Sequence, residues 1–148
     1  MKKLLLSLFF FLIFSPVWAT PHLASFQIFP PSLYTDDEAG ILFTVTFKTD
    51  PHENPPSEVT LVEVGKDGQS TRYRWPLKDN GGQSDQKAGD GIYSRVIQFK
   101  EKKARKIIFR VFLETSSSNP SDFLEGVLEI KPRPSMWEIL KGVWNKNS

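Results

Sequence analysis

The chain of 148 residues has no cysteine, two histidines and two methionines. Without cysteine there is neither a disulfide framework nor a thiolate to serve as nucleophile or metal ligand. Of the histidines, His22 lies close to the N-terminal segment and His52 in a loop with three prolines, so a histidine-centred site lacks its usual donors. No Gly-x-Ser-x-Gly and no His-Glu-x-x-His occurs. The neighbouring acids Asp36 and Asp37 fall in a polar turn, where solvated charge is the ordinary explanation. No acid–base or nucleophile constellation can be assembled, and the expectation is a protein that is not an enzyme and needs no cofactor. A long apolar run is missing too. Residues 4–14, broken only by Ser7, fall short of the roughly 20 residues of a membrane-spanning helix. Preceded by Lys2 and Lys3 and followed by small residues up to Ala19, they have the layout of a secretory signal peptide. Residues 1–19 are read as that signal, cleaved after Ala19, and the mature chain as exported, to the periplasm or outside the cell. Net charge is the last absence. Removing Lys2 and Lys3 from the 19 basic residues leaves 17, equal to the 17 acidic ones. A balanced chain has no general attraction for nucleic acid, and no nucleic-acid partner is expected.

What the sequence does have is bulk and alternation. Of the chain's twelve Phe, four Trp and three Tyr, eight Phe, one Trp and three Tyr fall within residues 20–131 and supply a core for a domain there. Residues 24–29 alternate and stop at Pro30-Pro31, which predicts an edge strand that Leu33-Tyr34 resumes beyond the bend. Residues 41–47 put Ile41, Phe43, Val45 and Phe47 on one side. Further strands are predicted over 58–64, 70–77, 92–99, 107–113 and 123–130, with a hairpin turn at 65–68 and polar loops at 50–56 and 115–122. About seven strands with regular turn signals and no helical period among them predict an all-β, seven-stranded antiparallel two-sheet sandwich.

Residues 78–93 hold three aspartates, Asp79, Asp85 and Asp90, and four of the nine glycines. Glycine reaches backbone conformations that other residues avoid, and Asp or Asn bonds back to nearby N–H groups. The run is therefore expected to be a compact, self-bonded loop that fixes how the flanking strands meet. Its pattern, Asp79-Asn80-Gly81, then Asp85, then Ala88-Gly89-Asp90-Gly91-Ile92-Tyr93, resembles a signature of immunoglobulin-like and fibronectin type III-like domains in secreted and surface-anchored bacterial proteins. A similar loop occurs in the secreted calcium-activated chloride-channel regulator family. The resemblance implies a β-sandwich module. In this chain Asn80 stands where a second Asp is common, and Ser84 where Gly often precedes the acid. Two readings of the acids follow. Each bonds loop N–H groups as an Asx turn with Tyr93 packed beneath, or Asp79, Asp85 and Asp90 supply oxygens to Ca²⁺.

Pro132-Arg133-Pro134 ends the β region, and within residues 132–148 the period changes. Met136, Trp137, Ile139, Leu140, Val143 and Trp144 have helical spacing, and Ser135 with Glu138 fits a capping box, predicting a short amphipathic helix. Trp137, Leu140 and Trp144 share one face. Packed on the sheets they form a lid; exposed, they dock a protein partner or touch a membrane surface. The basic run Lys100, Lys102, Lys103, Arg105 and Lys106 is expected to be a solvated hairpin end. Trp75 is expected in the core, with a sugar platform as the alternative. The resulting expectation is a non-catalytic exported module that presents loops and a Trp-bearing helix to a protein partner at the cell envelope. The alternative is a calcium- or carbohydrate-binding domain acting through residues 79–90.

Overall fold

The computed structural model describes residues 22–48, 56, 58–82, 84–113 and 123–144. The expected signal peptide, the loop at 115–122, most of the loop at 50–56 and His52 lie outside the described residues. Eight strands and one helix follow in order: β1 (His22–Phe29), β2 (Ser32–Tyr34), β3 (Glu38–Lys48), β4 (Val59–Val64), β5 (Ser70–Leu77), β6 (Ile92–Lys100), β7 (Arg105–Leu113), β8 (Phe123–Lys131) and α1 (Met136–Trp144). They form a three-stranded sheet ordered β1-β3-β6 and a five-stranded sheet ordered β2-β8-β7-β4-β5. The chain is thus mostly β, with two sheets and one short helix.

The expectation of seven antiparallel strands is corrected on two points. Residues 32–34 do not resume β1 but form a strand of their own in the other sheet, and that strand runs parallel to β8. The physical cause is Pro30-Pro31. Neither proline can donate to a ladder, so pairing with β3 ends at Phe29 and the chain leaves the sheet. Leu33 then turns inward and is buried.

The alternation along β3 is what joins the sheets. Ile41, Phe43, Val45 and Phe47 are buried, and β3 lies between β1 and β6, so one face of this central strand is wholly covered. Across the interior, β7 presents Ile107, Phe109 and Val111, β4 presents Val59 and Leu61, and β8 presents Leu128 and Ile130. Phe109 stands edge-on to Phe43, with ring centroids 4.8 Å apart, and edge-on to Phe99 at 5.7 Å. Burial of each such side chain contributes about 1.5–3 kcal/mol, which makes this shared layer the main source of stability in a chain without cross-links. Gly126 on β8 permits β1 to come close. A Cβ there would lie 2.8 Å from both Phe26 Cε1 and Ile28 Cδ1.

The strand predicted to lie at an edge does so: β1 is one edge of the three-stranded sheet. β5, which carries Pro76, is one edge of the five-stranded sheet. The opposite edge of the smaller sheet is β6. Where β5 ends, Lys78 bridges to Ser94 of β6, with backbone bonds in both directions. The segment that holds the aspartates therefore carries the chain from one sheet to the other, around a seam where two strand edges approach each other.

Candidate functional site

Three carboxylates converge in the segment between β5 and β6. Oxygens of Asp79, Asp85 and Asp90 lie within 4.8 Å of one another, and Asp85 is buried. The backbone brings them together through three glycines in the left-handed region, Gly81 (φ 68°), Gly89 (φ 74°) and Gly91 (φ 80°), which residues with a Cβ adopt only at a cost. Each acid accepts hydrogen bonds from loop amides. Asp79 Oδ1 accepts from Gly89 and Asp90, and its Oδ2 accepts from Gly91 at 2.8 Å. Asp85 Oδ2 accepts from Gly81 at 2.6 Å and its Oδ1 from Lys87. Asp90 Oδ1 accepts from Ile92, and Asn80 Oδ1 from Gly82, both at 3.0 Å. The loop is compact and self-bonded, as its Asp and Gly content predicts. The carbonyl of Gly91 also accepts from Phe47, which ties the loop's end to β3.

Tyr93 follows directly and is buried with its ring edge-on to Phe47. Its hydroxyl donates to the carbonyl of Pro56. Burial pushes the Tyr93 phenol up to about 12, and the Asp79 charge adds to the shift. The unfolded phenol, near 10, loses its proton first. Stability from neutral Tyr93 is thus fully present below pH ~10 and is lost as pH rises toward about 12. Tyr93→Phe has no proton to lose. The stability gap between wild type and Tyr93→Phe, read from urea midpoints, is expected to narrow between those two pH values; a constant gap would contradict it.

The other expected sites fall as follows. Trp137 and Leu140 on α1 are exposed, as are Met136 and Ile139; the side chain of Trp144 lies outside the described residues. The lid is therefore corrected: a single helix of nine residues, set off by Pro132 and Pro134, leaves its described apolar residues in solvent. The capping box is present. Glu138 Oε2 accepts from the Ser135 N–H at 2.8 Å, and the Glu138 N–H donates to Ser135 Oγ. The Ser135 amide holds the Glu138 carboxyl below the usual range. The basic run lies at the β6–β7 hairpin end, where Arg105 bridges Glu101 and Glu63, and Lys100 reaches Glu38. Trp75 packs against Phe109 of the core while its other side stacks on exposed Tyr73.

Sequence reasoning missed a cavity beside the acids. It has a volume of 260 Å³ and is lined by Pro76, Lys78, Asn80, Gly82, Ser84, Ser94 and Arg95. The one available signal was the pair Ser94-Arg95 within an otherwise apolar strand start, and it gains meaning only once β5 and β6 are side by side.

No protein-family model matches the chain, and no curated protein matches it. Among solved structures it is similar to the superoxide reductase (neelaredoxin) of Ignicoccus hospitalis, at 16% identity and a TM-score of 0.37 over 78% of this chain and 81% of that one. It is also similar to a protein of Thermotoga maritima named as a candidate superoxide reductase, at 17% identity and a TM-score of 0.38 over 76% and 87% of the two chains. These neighbours carry an enzyme's name, and neither is named as an immunoglobulin-like or fibronectin type III module. The family resemblance read from the loop is corrected accordingly. So is the picture of a non-catalytic, cofactor-free, partner-presenting scaffold. Its ground was the absence of nucleophile and acid–base motifs, and that absence does not bear on electron transfer, which a redox centre carries instead. Likeness at this level assigns no activity to the present chain.

Imidazole and thiolate donors suit iron, copper and zinc; the chain has no cysteine, and the side chains of its two histidines, His22 and His52, lie outside the described residues. Among the described residues the metal-ligating groups that converge are the three carboxylates, a hard-oxygen set suited to calcium, magnesium or manganese.

Proposed function

We propose that Asp79, Asp85 and Asp90 form a divalent-cation site, calcium by its donor chemistry, on an exported β domain. The observation that carries this reading is the convergence of three carboxylates with no Lys or Arg paired to any of them among the described residues. Like charges this close repel one another, and the loop's amide donors oppose that repulsion. A divalent cation offsets it directly. Ca²⁺ takes six to eight oxygens, so the carboxylates would be joined by loop carbonyls and water. Amide bonds to Asp79 and Asp85 hold the acids in place before any cation arrives, which lowers the ordering cost of binding.

A cation that binds only the folded chain raises its melting midpoint in proportion to the logarithm of its concentration. Calcium added to metal-free protein is expected to raise the midpoint in this logarithmic way, and Asp85→Asn to abolish the rise while the protein still folds. A midpoint unmoved by millimolar calcium, magnesium and manganese would rule the reading out.

A further inference from the structure

The cavity beside β5 and β6 is an open polar cleft, with Lys78, Asn80 and Gly82 exposed at it, and its chemistry is opposite to that of the acids. Lys78 and Arg95 both line it, and no carboxylate pairs with either among the described residues. Asp79, Asp85 and Asp90 are not among the lining residues. Arg95 is held in place by the bond from its Nη1 to the carbonyl of Pro76, 3.1 Å away. A guanidinium has five N–H donors, so most of its capacity is left for something else. The inner wall is Ser94, 8% exposed and the most buried lining residue. Its Oγ is buried and has no hydrogen-bond partner among the described residues. A buried hydroxyl left unpaired costs about 1–3 kcal/mol, and such groups are rare enough to require a reason.

We propose that this cavity is a binding site for a small oxyanion group, a phosphate, sulfate or carboxylate, received by Lys78, Arg95 and the Ser94 hydroxyl. An anionic oxygen supplies the acceptor that Ser94 lacks and the counter-charge that two cations at one wall lack. The volume equals roughly nine waters, enough for a tetrahedral anion with part of its hydration, or for one such group on a larger molecule. The rim is fixed by the acid-bonded loop: Asn80, Gly82 and Ser84 stand between Asp79 and Asp85, whose amide bonds set the loop's path. The site does not depend on a bound cation.

The test is the melting midpoint of the full chain in metal-free buffer at fixed ionic strength, with chloride replaced stepwise by inorganic phosphate, sulfate or acetate. Metal-free conditions separate this result from the outcome for the cation site. Wild type is expected to show a rise that grows with the logarithm of concentration for at least one of the three anions. Lys78→Gln, Arg95→Gln and Ser94→Ala are each expected to weaken it about tenfold or more, in keeping with loss of a charge-assisted bond. Lys102→Gln, at the β6–β7 hairpin, is expected to respond as wild type does. Without anion, Ser94→Ala is expected to be at least as stable as wild type, because it removes an unpaired hydroxyl. If Arg95→Gln does not fold, Lys78→Gln and Ser94→Ala carry the test. A response to phosphate and sulfate but not acetate assigns a tetrahedral anion; a response to acetate as well assigns a carboxylate. No rise with any of the three, or an equal rise in Ser94→Ala and Lys102→Gln, would overturn the proposal.

Discussion

Phe109→Ala is expected to destabilise the protein by about 3–5 kcal/mol, the range for truncating a large buried aromatic. Phe109 is fully buried and touches rings from both layers: Phe43 and Phe99 on the three-stranded sheet and Trp75 on its own. Its removal empties a place where both sheets meet the same side chain. Rigid rings on three sides cannot collapse into the gap. A domain of this size has about 5–15 kcal/mol in all, and no disulfide backs it up, so the variant would sit near its unfolding threshold. A urea titration checks this: the midpoint falls steeply while the slope stays unchanged. The next residue on the strand, Ile108, points outward and is exposed, and Ile108→Ala is expected to shift the midpoint little.

Asp79→Ala is expected to cost about 2–3 kcal/mol, more than a surface acid ordinarily does, because one carboxylate serves three amides. The N–H groups of Gly89, Asp90 and Gly91 all donate to it, and two of those glycines stand in the left-handed region. Without the carboxylate these three amides lose their shared acceptor, the Phe47 bond to the Gly91 carbonyl is left to tie the loop's end to β3, and the entry into β6 loosens. Asp90→Ala removes a single bond, from Ile92, and is expected to cost under about 1 kcal/mol. Chemical denaturation of both variants decides the point. Equal small losses would mean that water replaces the Asp79 carboxylate without penalty.

How much of this was legible in the chain depended on distance along it. Strand β5 was read at its observed bounds, and β3 through its inward residues, because alternation is a local signal. The capping box of α1 and the self-bonded loop were legible for the same reason: Ser135 and Glu138 are three residues apart, and Asp79 reaches Gly89 and Gly91 within one connection. The parallel strand β2 was not. Its partner β8 is about a hundred residues away, and three residues after two prolines carry no trace of it. The cavity was hidden too, since Lys78 and Ser94 become neighbours only when edges of two different sheets meet. Family and function suffered most. A loop rich in Asp and Gly reports its own hydrogen bonds and says little about the body to which it is attached.

The most direct measurement of the cation site is a ¹H–¹⁵N NMR titration of metal-free protein with calcium. Shifts are expected at the amides that bond the three acids, those of Gly81, Gly89, Asp90, Gly91 and Ile92, with saturation and with little change in α1 or the β6–β7 hairpin. A spectrum that calcium leaves unchanged, or one that moves elsewhere while those five amides stay still, would contradict a site made by Asp79, Asp85 and Asp90.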